Sequence, residues 1–207
     1  MNTDQIRINT HSSIRIGGTK ILYIDPFQIE DAAHDADVIF VTHGHFDHYD
    51  RESIEKIRKE GTVFVMPAAM KKEAEETGAD VCLLSPGESR EVCGLQIEAV
   101  PAYNKMKPFH PKHSRWVGYR IDMDGVRYYI AGDTDALKEL RNIRCDIALV
   151  PVGGTYTMTA GEAADLINQI RPAAAVPTHY GSIVGKKKDA DIFRSLVSPE
   201  IEVAVKL

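Results

Sequence analysis

An apolar run, Val38-Ile39-Phe40-Val41, passes directly into Thr42-His43-Gly44-His45-Phe46-Asp47-His48. A buried strand that finishes in four metal-capable side chains restricts the fold severely. It must end at an edge where other elements can bring partners to those side chains. Imidazole nitrogen and carboxylate oxygen are donors that zinc and the neighbouring first-row metals accept. Extended backbone points His43 and His45 to the same side, because side chains alternate with period two. A turn after Phe46 brings Asp47 and His48 in from a second direction. The segment can then hold one ion between two arms, or two ions side by side. The alternative is a solvated polar loop, and three of the chain's eight histidines within six residues weigh against it.

The surrounding sequence has the pattern of a layered α/β protein. Strands are expected over 5–9, 13–16 and 20–24, with a hairpin turn at Gly17-Gly18. Further strands are expected over 37–41, 62–66, 81–84, 90–93, 95–100, 116–121, 126–131, 146–150, 173–177 and 201–205. Helical stretches fall at 30–34, from the N-cap Asp50 to Gly61, from Pro67 to 77, and over 136–142 and 189–196. Thr159 and Glu162 form a capping box for a helix that stops at Arg171-Pro172. At 207 residues, 43% hydrophobic and 27% charged, the chain reads as one globular domain, 1–207, with ample core. Both halves begin with strands and continue as strand–helix units with chemistry at strand ends. Two mixed sheets packed face to face, with helices on both outer faces, satisfy that order: a four-layer αββα sandwich.

Acids and a histidine stand at other strand ends. Asp25 precedes Pro26, Asp133 lies in Gly132-Asp133-Thr134-Asp135, and His179 lies in Thr178-His179-Tyr180-Gly181. Together with the cluster they supply donors for two cations, with Asp133 able to bridge. The long, proline-containing segment 101–115 is of the length that lids and binding loops reach. It carries Lys105, Lys107, Lys112 and Arg115, while Lys186-Lys187-Lys188 fall in another loop.

His43-x-His45-x-Asp47-His48, then Gly132-Asp133-Thr134 and Thr178-His179-Tyr180-Gly181, resembles the metallo-β-lactamase fold superfamily in the order that family uses. His11-Ser12-Ser13, Ile24-Asp25-Pro26-Phe27, Pro101-Ala102-Tyr103 and the stretch from Pro151 to Met158 resemble the branch containing ascorbate-6-phosphate lactonase and other metal-dependent hydrolases. The resemblance implies that His43 and His45 bind a first metal, that Asp47, His48 and His179 bind a second, and that Asp133 bridges. It places Asp25 and Thr42 behind the ligands, orienting them, and His11 at the same edge as a substrate contact. One departure stands out. Where the family's third motif supplies a histidine to the first metal, this chain has Asn104, a poorer zinc ligand. Three outcomes are open: a weak or empty first site, replacement by His110 or His113 with His110 preferred, or a harder metal such as manganese.

Such a centre supports hydrolysis, because a metal lowers the pKa of its water towards ~7 and polarises a carbonyl or phosphoryl oxygen. The expected cofactor is one or two divalent ions, zinc or manganese. Asp47 is the expected catalytic group, orienting the water and then protonating the leaving group. The basic loop favours a small anionic substrate, a lactone or phosphoester, with Tyr103, Asn104, His110 and Tyr156 as further contacts. The competing functions are a nuclease or phosphodiesterase, and a metal-binding protein without turnover. A net charge of −5 argues against a nucleic-acid partner. No run reaches membrane-spanning length, and the first twenty residues carry no signal-type apolar core, so a cytoplasmic protein is expected. Cys82, Cys93 and Cys145 are expected to be reduced and largely buried. A homo-oligomer stays open.

Overall fold

The computed structural model describes residues 3–207. Its first sheet runs in chain order: β1 (Ile6–Thr10), β2 (Ser13–Ile16), β3 (Leu22–Ile24), β4 (Ala36–Phe40), β5 (Arg58–Pro67) and β6 (Asp80–Leu84). The second holds β7 (Ser89–Val92), β8 (Leu95–Pro101), β9 (Val117–Met123), β10 (Val126–Ile130), β11 (Ile147–Pro151), β12 (Ala174–Thr178) and β13 (Glu202–Val203), again as sequence neighbours. Each sheet opens with antiparallel pairs and turns parallel, at β3–β4 in the first and at β10–β11 in the second. The likeness of the two halves is therefore a likeness of topology.

Period-two alternation sorts the side chains into layers. On β4, Val38 and Phe40 face the other sheet, whereas Ile39 and Val41 face outward onto α1 (Arg51–Ile57). On β11, Ile147 and Leu149 join the inter-sheet core. Ala148 and Val150 turn outward to α3 (Ala160–Ile170) and to Phe193 of α4 (Lys187–Leu196). α2 (Lys71–Glu76) adds Ala74 to the outer layer of the first sheet. The result is the four-layer αββα sandwich. No helix among the described residues is long and apolar enough to cross a membrane.

Local propensity loses to tertiary pairing at several element ends. α1 was expected to continue to Gly61, yet it stops at Ile57. Arg58 goes straight into β5, where it pairs with Ala36, and the Thr62 hydroxyl donates to the Ala36 carbonyl at 2.7 Å. Residues 30–34 form no helix, because neighbouring backbone is tied to α1. The Ile29 N–H donates to Ser53 Oγ, and the His34 N–H to the Lys56 carbonyl. The helix expected over 136–142 reduces to a 3-10 turn, Lys138–Asn142. Asp135 and Ala136 are held extended by Lys105, whose backbone N–H and side-chain ammonium donate to them. Cys93 is exposed at the tip of the β7–β8 hairpin, not buried as expected, whereas Cys145 is buried; all three cysteines are free.

What the fold does for function is align strand ends. Asp25 follows β3, Thr42 and the histidine cluster follow β4, Asp133 follows β10, and His179 follows β12. All four strands have parallel neighbours. Their carboxyl ends open onto one crevice, the place where sheets of this kind assemble sites. Across that crevice the Tyr119 hydroxyl of β9 donates to the Val41 carbonyl at 2.7 Å, and so pins the start of the cluster to the second sheet.

Candidate metal centre

The base of the site is a carboxylate that orients two histidines. Asp25 is fully buried and accepts the Thr42 N–H at Oδ1 (2.7 Å) and the Thr42 hydroxyl at Oδ2 (2.7 Å). Its Oδ2 also accepts His48 Nδ1–H at 2.7 Å. The single hydroxyl proton of Thr42 points at the carboxylate, so towards His43 Nδ1, at 3.0 Å, the oxygen acts as acceptor. Both rings are thereby set in the tautomer that leaves Nε2 free for a ligand. Asp25 and Thr42 thus contact the Nδ1 atoms of His48 and His43.

The front of the site is a convergence of unpaired nitrogens. Nε2 of His11, His48, His110 and His179, together with Asp133 Oδ1, are buried and have no well-aligned hydrogen bond, with only the Asp47 and Asp133 carboxylates beside the four nitrogens. Orphaned buried polar atoms cost about 1–3 kcal/mol each, and a cation would satisfy several at once. The donor atoms form groups within 4.8 Å of one another: His11, Asp47, His48 and His179 on one side, and His43, His45 and His110 on the other. Asp133 lies between them. It is 3.0 Å from His179 Nε2, 3.2 Å from His110 Nε2, 3.4 Å from His48 Nε2 and 4.0 Å from His43 Nε2. The nitrogen- and oxygen-rich set fits a divalent ion on each side.

His110 lies with His43 and His45 in one donor group, whereas His113 is exposed and belongs to none of the donor groups among the described residues. Asn104 has a structural part to play. Its buried amide nitrogen donates to the carbonyls of Phe109 (2.9 Å) and Tyr156 (2.7 Å), and its backbone N–H donates to the His110 carbonyl at 2.8 Å. It staples the loop that presents His110. Tyr103 is turned away from the donors, its hydroxyl donating to Glu139 at 2.6 Å; that bond and burial push its pKa up to about 12. Tyr156 packs edge-on against Phe109. Lys107 is paired with Asp135, Lys105 also bonds in that turn, and the Lys112 ammonium lies 5.0 Å from the centre of the Tyr103 ring, while Arg115 is exposed. His11, expected as a substrate contact, is wholly buried, with Nε2 3.3 Å from Asp47 and its ring 3.8 Å from that of His179 between centres.

One residue escaped the sequence reading. Trp116, the chain's single tryptophan, lies 4.8 Å from His43, 4.9 Å from His45 and 5.5 Å from His110, measured between ring centres. No spacing pattern singles it out; only its position just after the basic loop hints at it. Backbone strain gathers here too. His11, Asp25, His110 and His179 all adopt positive φ (53°, 49°, 54° and 58°). Non-glycine residues hold that conformation only where their surroundings over-determine it.

The charges are coupled. Burial opposes ionisation of Asp133, but His179 and His48 outweigh it and hold the carboxyl well below the usual range. Burial likewise opposes a charged His48, and Asp133 and Asp25 overcome it, raising the ring to about 9. His43, His11 and His45 are pushed down, first by burial and then by neighbouring rings, with Asp47 and Asp133 pulling the other way. In metal-free protein the signs are opposite on either side of the unfolded histidine value of about 6.5. The contribution of His48 is complete below that pH and is lost as pH rises through about 9. The contributions of the depressed rings are lost as pH falls below about 6.5. Chelator-treated protein is expected to melt highest near pH 6.5 and lower in both directions, and a melting temperature that climbs steadily through that window would contradict these assignments.

Residues 5–179 match the family described as the beta-lactamase superfamily domain. Among curated relatives, the UPF0173 metal-dependent hydrolase of Thermoplasma acidophilum is 32% identical, over 95% of this chain and 96% of its own. The crystal structure of a proposed metal-dependent hydrolase from Parabacteroides distasonis superposes with a TM-score of 0.84 at 32% identity, covering 98% of this chain and 92% of that one. Igni18, a metallo hydrolase from Ignicoccus hospitalis, shares the fold at TM-score 0.78 and 23% identity, covering 97% and 93%.

Proposed function

Because this chain belongs to the β-lactamase superfamily, within its UPF0173 metal-dependent hydrolase family, we propose that it hydrolyses a small anionic lactone or phosphoester. The cofactor in this reading is one or two divalent ions, zinc or manganese. The observation that carries it is the pair of donor groups facing each other across Asp133. His43, His45 and His110 would hold one ion, Asp47, His48 and His179 the other, and Asp133 would touch both. When bound, such ions lower the pKa of water towards about 7 and polarise the carbonyl or phosphoryl oxygen under attack.

The remaining work falls to the protein. Asp25 keeps the His48 and His43 rings in their productive tautomers, directly and through Thr42. Asp47 stays ionised at neutral pH, since His11 and His48 outweigh the effect of its burial. It can accept a proton from attacking water and return it to the leaving group. Asn104 and Tyr156 keep the His110 loop in place. Lys112 and Arg115, on the loop leading to Trp116, would draw in an anionic group.

The test is a panel of lactones, phosphomonoesters, phosphodiesters and carboxylic esters, assayed after chelation and after readdition of zinc or manganese. Hydrolysis of an anionic member is expected to vanish with chelation and to return with metal. Replacing Lys112 and Arg115 by alanine is expected to lower kcat/KM for that member several-fold while leaving neutral esters unchanged. Tight metal binding with no turnover anywhere on the panel would reject the hydrolytic reading in favour of a metal-binding protein.

A further inference from the structure

We propose that His11 is itself a metal ligand, an additional donor to the ion on the Asp47–His48–His179 side. The inference rests on the metal-dependent reading above and adds to it a residue from the β1–β2 hairpin, remote from every other donor in sequence.

Four observations converge. The His11 side chain has no exposed surface; its Nδ1 lacks a hydrogen-bond partner, and the only polar group beside its Nε2 among the described residues is the Asp47 carboxylate, itself in the donor group. Its Nε2 lies 3.3 Å from Asp47 Oδ2, and the donor atoms of His11, Asp47, His48 and His179 all fall within 4.8 Å of one another. The His11 carbonyl accepts the His179 N–H at 2.9 Å, which locks the hairpin to the end of β12 and sets the two rings 3.8 Å apart between centres. Finally, the residue holds φ at +53°, a conformation costly to histidine that turns the ring inward at the tip of a two-residue connection.

The consequence is an unequal centre. The Asp47 side would have four protein donors besides Asp133, whereas the His43–His45–His110 side has three. Sites that hold substrate keep a coordination position open, so the His43 side is the one with room. Trp116 reports on that side, because its ring packs against all three histidines there.

Cobalt(II) titrations of the full chain and two variants test this. In the wild type, two equivalents are expected, one of them quenching Trp116 fluorescence. His11→Asn tolerates the left-handed backbone. It is expected to weaken the non-quenching equivalent by at least the roughly 10–100-fold that loss of an outer-shell partner alone costs, with the Trp116 quench unchanged. His11→Cys is expected to add a thiolate-to-cobalt absorption band absent from the wild type, whose three native cysteines serve as the control. Wild-type affinity for both equivalents in His11→Asn overturns the proposal. So does a cobalt-loaded His11→Cys without the band, which would leave His11 as a mere neighbour of Asp47. If the wild type binds no cobalt at all, the metal-dependent reading itself fails, a result distinct from either.

Discussion

Asp133→Ala is expected to reduce hydrolysis to background and to weaken metal binding on both sides of the centre together. The Asp133 carboxylate lies within 4.0 Å of ring nitrogens from both donor groups: His110 and His43 on one side, His48 and His179 on the other. Asp133 is 4% exposed and ionised, so its removal leaves the raised charge of His48 with only Asp25 and Asp47 to face it. Breaking a buried charge pair by deleting one partner costs about 3–5 kcal/mol, and the metal-free variant is expected to lose stability towards that range. Loss of affinity should exceed the roughly 10–100-fold typical of an outer-shell change. Asp133→Asn separates the effects: it keeps the shape and much of the packing but removes the charge, so activity is expected to fall as far with a smaller change in melting temperature. Metal content by mass spectrometry and kcat/KM on the best panel substrate measure both. If Asp133→Ala keeps two ions at wild-type affinity, the bridging role is wrong.

Gly118→Ala is expected to be strongly destabilising. A Cβ at Gly118 would strike the Ile130 carbonyl and lie 2.5 Å from the Ala131 oxygen and 2.8 Å from its carbonyl carbon. These are backbone atoms of the paired strand, not flexible side-chain ends, so neither can yield without breaking the β9–β10 ladder. A cost of about 4 kcal/mol or more is expected, at the far end of single-residue effects. The same displacement would propagate within two residues to Asp133, so metal affinity should fall with stability. Denaturant unfolding of the metal-free variant, compared with Gly61→Ala as a control, checks it. Gly61, unlike Gly118, is left-handed, at φ +80°, and has no heavy atom within 4 Å of its Cβ position, so alanine there meets backbone strain without a clash. A cost at Gly118 no larger than that at Gly61 would mean that the paired strand yields to the added methyl group and that the close approach does not require glycine at 118.

The four-layer fold was legible because two periodicities and the chemistry at strand ends agreed. Each β-strand expected was present within a few residues, since alternation such as Val38/Ile39/Phe40/Val41 is enforced by packing on both faces. The misread ends share one cause. Residues 30–34, 58–61 and 136–137 have helical composition, but each is held by a long-range partner that local propensity cannot report: α1, Ala36 and Lys105. At the centre, the linear motif around His43 to His48 announced itself, whereas the position of His110 could only be guessed from a missing histidine at Asn104. What a deviation from a motif hides is whether the replaced residue has been lost or has taken another task. Here Asn104 became the clamp of the loop that brings a different histidine in. Trp116 gave no signal, because a lone tryptophan has no spacing to read.

The bond from the His179 N–H to the His11 carbonyl joins the earliest donor in the sequence to the last. During synthesis the His43 to His48 segment leaves the ribosome long before residue 179 exists, already rich enough in imidazole to take up stray cations. Ions bound to that unfinished chain subtract from the stabilisation a metal can give the folded one. The centre cannot close before residue 179 has been made. A chain interrupted between residues 48 and 179 would carry the cluster but no finished site.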